Sequence, residues 1–200
     1  MVRDPLPNYN ELIDMYNALY DQNEVPYAPE CRRTKHYARW IHCNLPPGAR
    51  ILDVGCGRGD ILKALLGMGY EAEGTEVASC LLEPGGDLEG LPVRIESVLD
   101  LDDEAIYDAV ICSDVLEHLL TVDDVKDAYA RLCRASKKCV LISAGFKQSS
   151  HRFNGKKHRL HFVIEDIYWW MSLFEAICKT KWVGVRKHSI LIFGEKKCDM

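Results

Sequence analysis

The stretch "ILDVGCGRGD", residues 51 to 60, places two carboxylates, Asp53 and Asp60, around glycines at 55, 57 and 59. Glycine permits positive φ and lets a ligand approach the main chain closely. "ARILDVG" reads as a buried strand and "GDILKALLGMGY" as the helix after it, so the glycines form a strand-to-helix turn. The start of that helix offers unpaired N–H groups, as a nucleoside-type pocket requires. A dinucleotide fingerprint would put its third glycine at position 60, where this chain has Asp60. Acids at 53 and 60 suit a positively charged ligand better than a pyrophosphate. Glu76 follows 23 residues after Asp53, at the end of the next strand. A carboxylate there can accept both hydroxyls of a ribose.

These groups need a scaffold, and the periodicities of the chain supply one. Apolar residues at 12, 13, 16, 19 and 20 predict a helix over 9–22, broken by the prolines of "VPYAPE". A second helix is expected over 33–45, ended by "PPG". Strands are expected over 71–76, 92–97, 107–113 and 138–144, with a loop or short helix around 77–90. Helices are expected over roughly 122–136, with Asp123 and Asp124 in the first turn where acids suit the dipole, and over 163–177. Strands alternating with helices predict an α/β fold, a mostly parallel sheet covered on both faces. The last two strands, 180–186 and 188–196, are too close for a helical crossover and must pair antiparallel.

Composition bounds the rest. Two hundred residues fit one domain with an appended arm: a helical arm or lid is placed at 1–46 and the main domain at 47–200. No apolar run reaches the roughly 18 residues that span a bilayer. The opening "MVRDPLPNYNELIDMY" lacks the apolar stretch of a secretory signal, so no membrane association is expected. Nine cysteines without a CxxC pair fit neither a zinc site nor a disulfide framework. The expected location is the reducing cytoplasm. A net charge of −5 argues against a surface that attracts nucleic acid as a whole.

Taken in order, "LDVGCGRGD", "EGTEVAS" and "YDAVICSDVLEHL" resemble the class I S-adenosylmethionine-dependent methyltransferases, over roughly residues 48 to 195. S-adenosylmethionine carries an ammonium and a sulfonium and no phosphate, which matches the acids at the glycine turn. The resemblance implies a three-layer Rossmann-like sandwich, its seven-stranded sheet in the order 3-2-1-4-5-7-6 with strand 7 antiparallel. It also implies the cofactor contacts: Asp53, Gly55, Cys56, Gly57 and Asp60 around the methionine moiety, and Glu76 and Val77 at the ribose. Ser97 and Val98 would lie at the adenine, where the family often has Asp. Ser113 and Asp114 would lie beside the methyl group.

Methyl transfer is an in-line displacement at a carbon activated by sulfonium, so the protein chiefly aligns donor and acceptor. A general base is needed only for a weakly acidic acceptor such as a hydroxyl. His118, His158 and His161 are the candidates, and a capping or packing role is the alternative for His118. Asp114, Glu117 and His118 form a DxxEH cluster, and "HRLHF" adds histidines from a second loop. Carboxylates and imidazoles converging from two loops make a candidate divalent-metal site, with Asp114, Glu117, His118 and His161 as ligands. Ubiquinone-pathway O-methyltransferases and small-RNA 3′-terminal 2′-O-methyltransferases are similar here but carry ExxEH, one methylene longer at the first position.

The segment "GFKQSSHRFNGKKHRLH", 145 to 161, holds five Lys or Arg, three His and no acid. It is either a solvated loop balancing an acidic body or an anion-binding lid over the acceptor, with Lys147, Arg152, Lys156 and Arg159 as contacts. Three functions follow. The first is a methyltransferase acting on O or N of a small anionic acceptor. The second is a metal-assisted RNA 3′-terminal 2′-O-methyltransferase, and the third a non-catalytic cofactor-binding subunit.

Overall fold

The computed structural model describes residues 6–21, 32–148, 150–153 and 156–197. Two helices, α1 (Tyr9–Asp21) and α2 (Arg32–Asn44), precede a strand–helix alternation: β1 (Arg50–Val54), α3 (Asp60–Gly67), β2 (Glu71–Glu76), β3 (Val93–Ile95) and β4 (Tyr107–Ser113). Then come α4 (Val122–Ala135), β5 (Ser136–Gly145), β6 (Ser150–Phe153), β7 (Lys156–Arg159), α5 (Ile167–Ile177), β8 (Cys178–Val185) and β9 (Ser189–Lys196). Seven strands form one sheet in the order β3-β2-β1-β4-β5-β9-β8. Pairing is parallel from β3 to β5, and β9 runs antiparallel to both β5 and β8. This is the expected Rossmann-like order, with β9 the reversed strand.

Side-chain alternation sorts the sheet residues into two cores, because successive residues of a strand face opposite sides. Ile51, Ile111, Leu141 and Phe193 pack with Tyr37 and Ile41 of α2 and Leu62 and Leu65 of α3. Leu52, Val110, Ile142 and Ile192 pack with Val125, Tyr129 and Leu132 of α4 and Trp170 and Phe174 of α5. Each such side chain, fully buried, contributes about 1.5–3 kcal/mol, so the parallel strands are apolar on both faces. Trp170 is fully buried in this second core, whereas Trp169 only packs against it.

Side-chain caps set the starts of α4 and α5. Thr121 and Asp124 cap α4 reciprocally, Thr121 Oγ1 accepting from Asp124 N and Asp124 from Thr121 N. Asp166 accepts from Tyr168 N and Trp169 N, which starts α5 at Ile167 rather than at the apolar residues 163 and 164. Two expectations change. The segment 145–161 is not one loop: β6 and β7 pair antiparallel, Ser150 opposite Arg159. And α2, assigned to the arm, is built into the sandwich, with Tyr37 and Ile41 fully buried. No helix among the described residues is long and apolar enough to cross a membrane.

Candidate active site

A cavity of about 810 Å³ opens where β1 to β5 end. The glycine turn forms one wall. Gly55 holds φ 66°, and a Cβ there would lie 2.5 Å from Val115 Cγ2. Gly57 holds φ 55°, and its N–H donates to Glu76 Oε2 at 2.8 Å. Glu76 Oε1 accepts from Val77 N at 2.9 Å and from Ala78 N at 3.1 Å. One carboxylate thus ties the end of β2 to the turn after β1. Burial pushes the Glu76 carboxyl up, and the three N–H donors pull it back only in part.

Asp53 is 1% exposed, and its Oδ2 has no hydrogen-bond partner. Burial first, then the neighbouring Glu76 charge, raises its carboxyl to about 7. An orphaned buried acceptor beside an open cavity fits a cationic ligand. Burial first, then the charges of the same two acids, pushes the Cys56 thiol up.

The far wall follows β4. Asp114 adopts φ 56°, a left-handed backbone uncommon outside glycine. Its N–H donates to Ser143 O, and its Oδ1 accepts from Ser143 Oγ at 2.8 Å. Glu117 is buried and accepts from Gly145 N at 2.7 Å. His118 Nδ1 lies 3.0 Å from Leu160 O and 2.6 Å from Tyr16 Oη. His161 Nδ1 donates to Lys147 O at 2.6 Å. The two imidazoles meet edge to face, 4.8 Å apart.

Helix α1 roofs the cavity with Tyr9, Ile13, Tyr16 and Tyr20. At one end Tyr9 Oη donates to Asp124 and accepts from Leu120 N. At the other, Asn17 Oδ1 accepts from Cys80 N. Asp53, Gly55, Cys56, Gly57, Asp60, Glu76, Val77, Ser97, Val98, Ser113 and Asp114 all line this one cavity. His118 and His161 line it as well; His158 does not, and stands on β7 opposite His151.

A ligand-atom trio within 4.8 Å comprises Glu117, His118 and His161. Asp114, expected as a fourth ligand, is outside the trio; its carboxylate is turned to Ser143. Lys147 and Arg159 do not line the cavity. The Lys147 ammonium lies over the Phe146 ring, and Arg159 Nε donates to His161 O at 2.8 Å. The side chains of Arg152 and Lys156 lie outside the described residues. Three contributors were not among the residues named from the sequence: the tyrosines of α1, Gly145, and the turn 186–188 between β8 and β9. The spacing of Tyr9, Tyr16 and Tyr20 on one helix face was the available signal for the first.

A family model described as a methyltransferase domain matches residues 29–176. The ubiquinone biosynthesis O-methyltransferase of Burkholderia multivorans (strain ATCC 17616 / 249) is 34% identical over 133 residues, which is 60% of this chain and 50% of that protein. The chain spans about half the length of the curated relatives it matches. Among solved structures, the magnesium protoporphyrin IX methyltransferase from Synechocystis PCC 6803 with bound S-adenosylmethionine superposes with a TM-score of 0.72 at 16% identity, covering 98% of this chain and 100% of that one. The 1,6-didemethyltoxoflavin-N1-methyltransferase of Burkholderia thailandensis, with 1,6-didemethyltoxoflavin and S-adenosylhomocysteine bound, gives 0.70 at 19% identity, covering 98% and 93%. At these identities the structural likeness is one of fold.

Proposed function

Because the chain belongs to the methyltransferase-domain family, we propose that it transfers the methyl group of S-adenosylmethionine to an oxygen or nitrogen of a small anionic acceptor. The observation that carries this reading is the unpartnered Asp53 oxygen beside Glu76 and the glycine turn, all lining one cavity. Asp53 and Asp60 would face the ammonium and sulfonium, and Glu76 the ribose hydroxyls. Gly55 and Gly57 leave room that a Cβ would fill. When bound, the sulfonium supplies an electrophilic methyl carbon.

The residues of the chain do the rest. Ser143 and the left-handed Asp114 fix the end of β4 at the floor of the cavity. The α1 tyrosines shield the cavity from water. His118 and His161 can take the acceptor proton where the acceptor is a hydroxyl. Incubation of the purified chain with methyl-labelled donor and a panel of hydroxy and amino acids tests the transfer. A labelled acceptor supports it, and donor binding without any transfer points to a non-catalytic cofactor-binding subunit.

The trio Glu117, His118 and His161 favours a second reading. Those residues would hold a divalent ion, which would lower the pKa of an acceptor hydroxyl, as an RNA 3′ end presents. The donor set of one carboxylate and two imidazoles fits such an ion, with Asp114 contributing nothing to it.

A further inference from the structure

The turn between β8 and β9 carries Arg186, Lys187 and His188. Register places it beside the site: Val185 pairs with Ile190, and Ser189 pairs with Gly145, the last residue of β5. Two main-chain hydrogen bonds hold it there, Arg186 N to Ser189 O at 2.8 Å and Phe146 N to His188 O at 3.0 Å. All three residues line the cavity, as do Gly145 and His161. Among the described residues, neither the Arg186 guanidinium nor the Lys187 ammonium has an ion-pair partner. Arg58, the other cavity cation, is paired with Asp87.

The charges of the cavity are largely sorted along the sheet edge, the exception being Glu117, which lines it after β4 and accepts from Gly145 N. Asp53, Glu76, Glu96 and Asp100 come from the ends of β1, β2 and β3. The unpaired cations come from the opposite half, beyond β5. A cationic donor and an anionic acceptor would each find the matching half, with His118, His161, Asp114 and Glu117 between.

We propose that the β8–β9 turn is the anion subsite for the acceptor: Arg186 and Lys187 bind a carboxylate or phosphate that the acceptor carries. This rests on the methyltransferase reading. The planar guanidinium is the natural anchor, since it can donate two parallel hydrogen bonds to one oxyanion. The ammonium adds charge at a more exposed position, so its part is screened by salt. The subsite moves acceptor recognition away from the basic segment 145–161, whose Lys147 and Arg159 point elsewhere.

The test uses the 200-residue chain saturated with S-adenosylhomocysteine. It is titrated calorimetrically with matched pairs of hydroxylated aromatic and aliphatic acids and their carboxamides. At least one acid should bind about tenfold more tightly than its amide. The double variant Arg186→Ala, Lys187→Ala should bring that ratio to about one, with S-adenosylhomocysteine affinity and melting midpoint unchanged. The pair Arg186→Gln, Lys187→Gln, which keeps most of the stem packing, should give the same loss. Lys147→Ala should keep the preference. No acid outbinding its amide, or a preference that survives both double variants, overturns the subsite while leaving cofactor binding intact. Wild-type protein that does not bind S-adenosylhomocysteine overturns the parent reading, and the subsite with it.

Discussion

Tyr16 Oη lies 2.6 Å from Nδ1 of His118, joining the roof of the cavity to its floor. The contact is between α1 and the segment after β4, 102 residues apart in the chain. Helix α1 is also bonded to Asp124, Leu120 and Cys80, so it closes over the cavity at several points. Tyr16→Phe removes one of these bonds and keeps the ring. The variant should bind S-adenosylhomocysteine about fivefold more weakly, the value of one ordinary hydrogen bond. The loss should fall mainly on the dissociation rate, with faster amide hydrogen exchange across 9–21. Unaltered dissociation would mean that α1 does not gate the cavity.

Asp53 couples ligand binding to protons. Its carboxyl sits at about 7, whereas an unfolded-chain aspartate titrates near ~3.9. Between roughly pH 4 and 7 the ligand-free native state holds a proton that the unfolded chain has released. The stability this group contributes is full below pH ~4 and is lost as pH rises through ~7. Asp53→Asn removes the loss, so the ligand-free variant should be more stable than wild type at pH ~8, by about 1 kcal/mol or more.

Binding of a cation has the opposite demand, because it needs the carboxylate. Wild-type affinity for S-adenosylmethionine should fall as pH drops below about 7, with a proton released on binding near pH ~6. Asp53→Asn should bind more weakly at pH ~8 and lose that dependence. Calorimetry in two buffers of different ionisation enthalpy counts the proton; a count of zero in wild type contradicts the assignment of Asp53.

Gly145 leaves room for two site residues. A Cβ there would lie 2.6 Å from His161 Cε1 and 3.0 Å from Glu117 Oε1. Gly145→Ala must displace both, at a cost of about 1–3 kcal/mol in stability. Transfer should drop about 100-fold, while S-adenosylhomocysteine affinity stays within about threefold, since the glycine turn is untouched. A parallel loss of cofactor binding would show that the two ends of the cavity are not separable.

A base role and a metal role for His118 and His161 part over a chelator. With a base, chelator-dialysed protein keeps its transfer rate, and His161→Ala loses rate most against hydroxyl acceptors. Loss on dialysis, with recovery on adding a divalent ion, would replace the base by a metal held on Glu117, His118 and His161.

The part of the site that was legible lies in short local units. Asp53, the glycines and Glu76 belong to strand–turn–helix segments whose spacing is visible in one dimension, and the terminal strands betrayed their hairpin by the shortness of their link. What was hidden depends on chain segments that only the topology brings together. Asp114 appeared as a ligand by its place in DxxEH, yet Ser143 on β5 claims its carboxylate. Arg159 read as a free cation, yet it folds back onto the His161 carbonyl. The β6–β7 hairpin carries no apolar stripe, so periodicity gave no sign of it. Arg186 and Lys187 look like an ordinary polar turn until β9 is seen to run beside β5.

The most direct measurement is a calorimetric titration of S-adenosylhomocysteine into the wild-type chain and into Glu76→Ala, each with a native circular dichroism spectrum. Saturable one-to-one binding is predicted for the wild type, weakened roughly 10- to 100-fold in the variant by loss of charged hydrogen bonds. Absence of binding to the wild type, or equal affinity in both proteins, would contradict a nucleoside held between the glycine turn and Glu76.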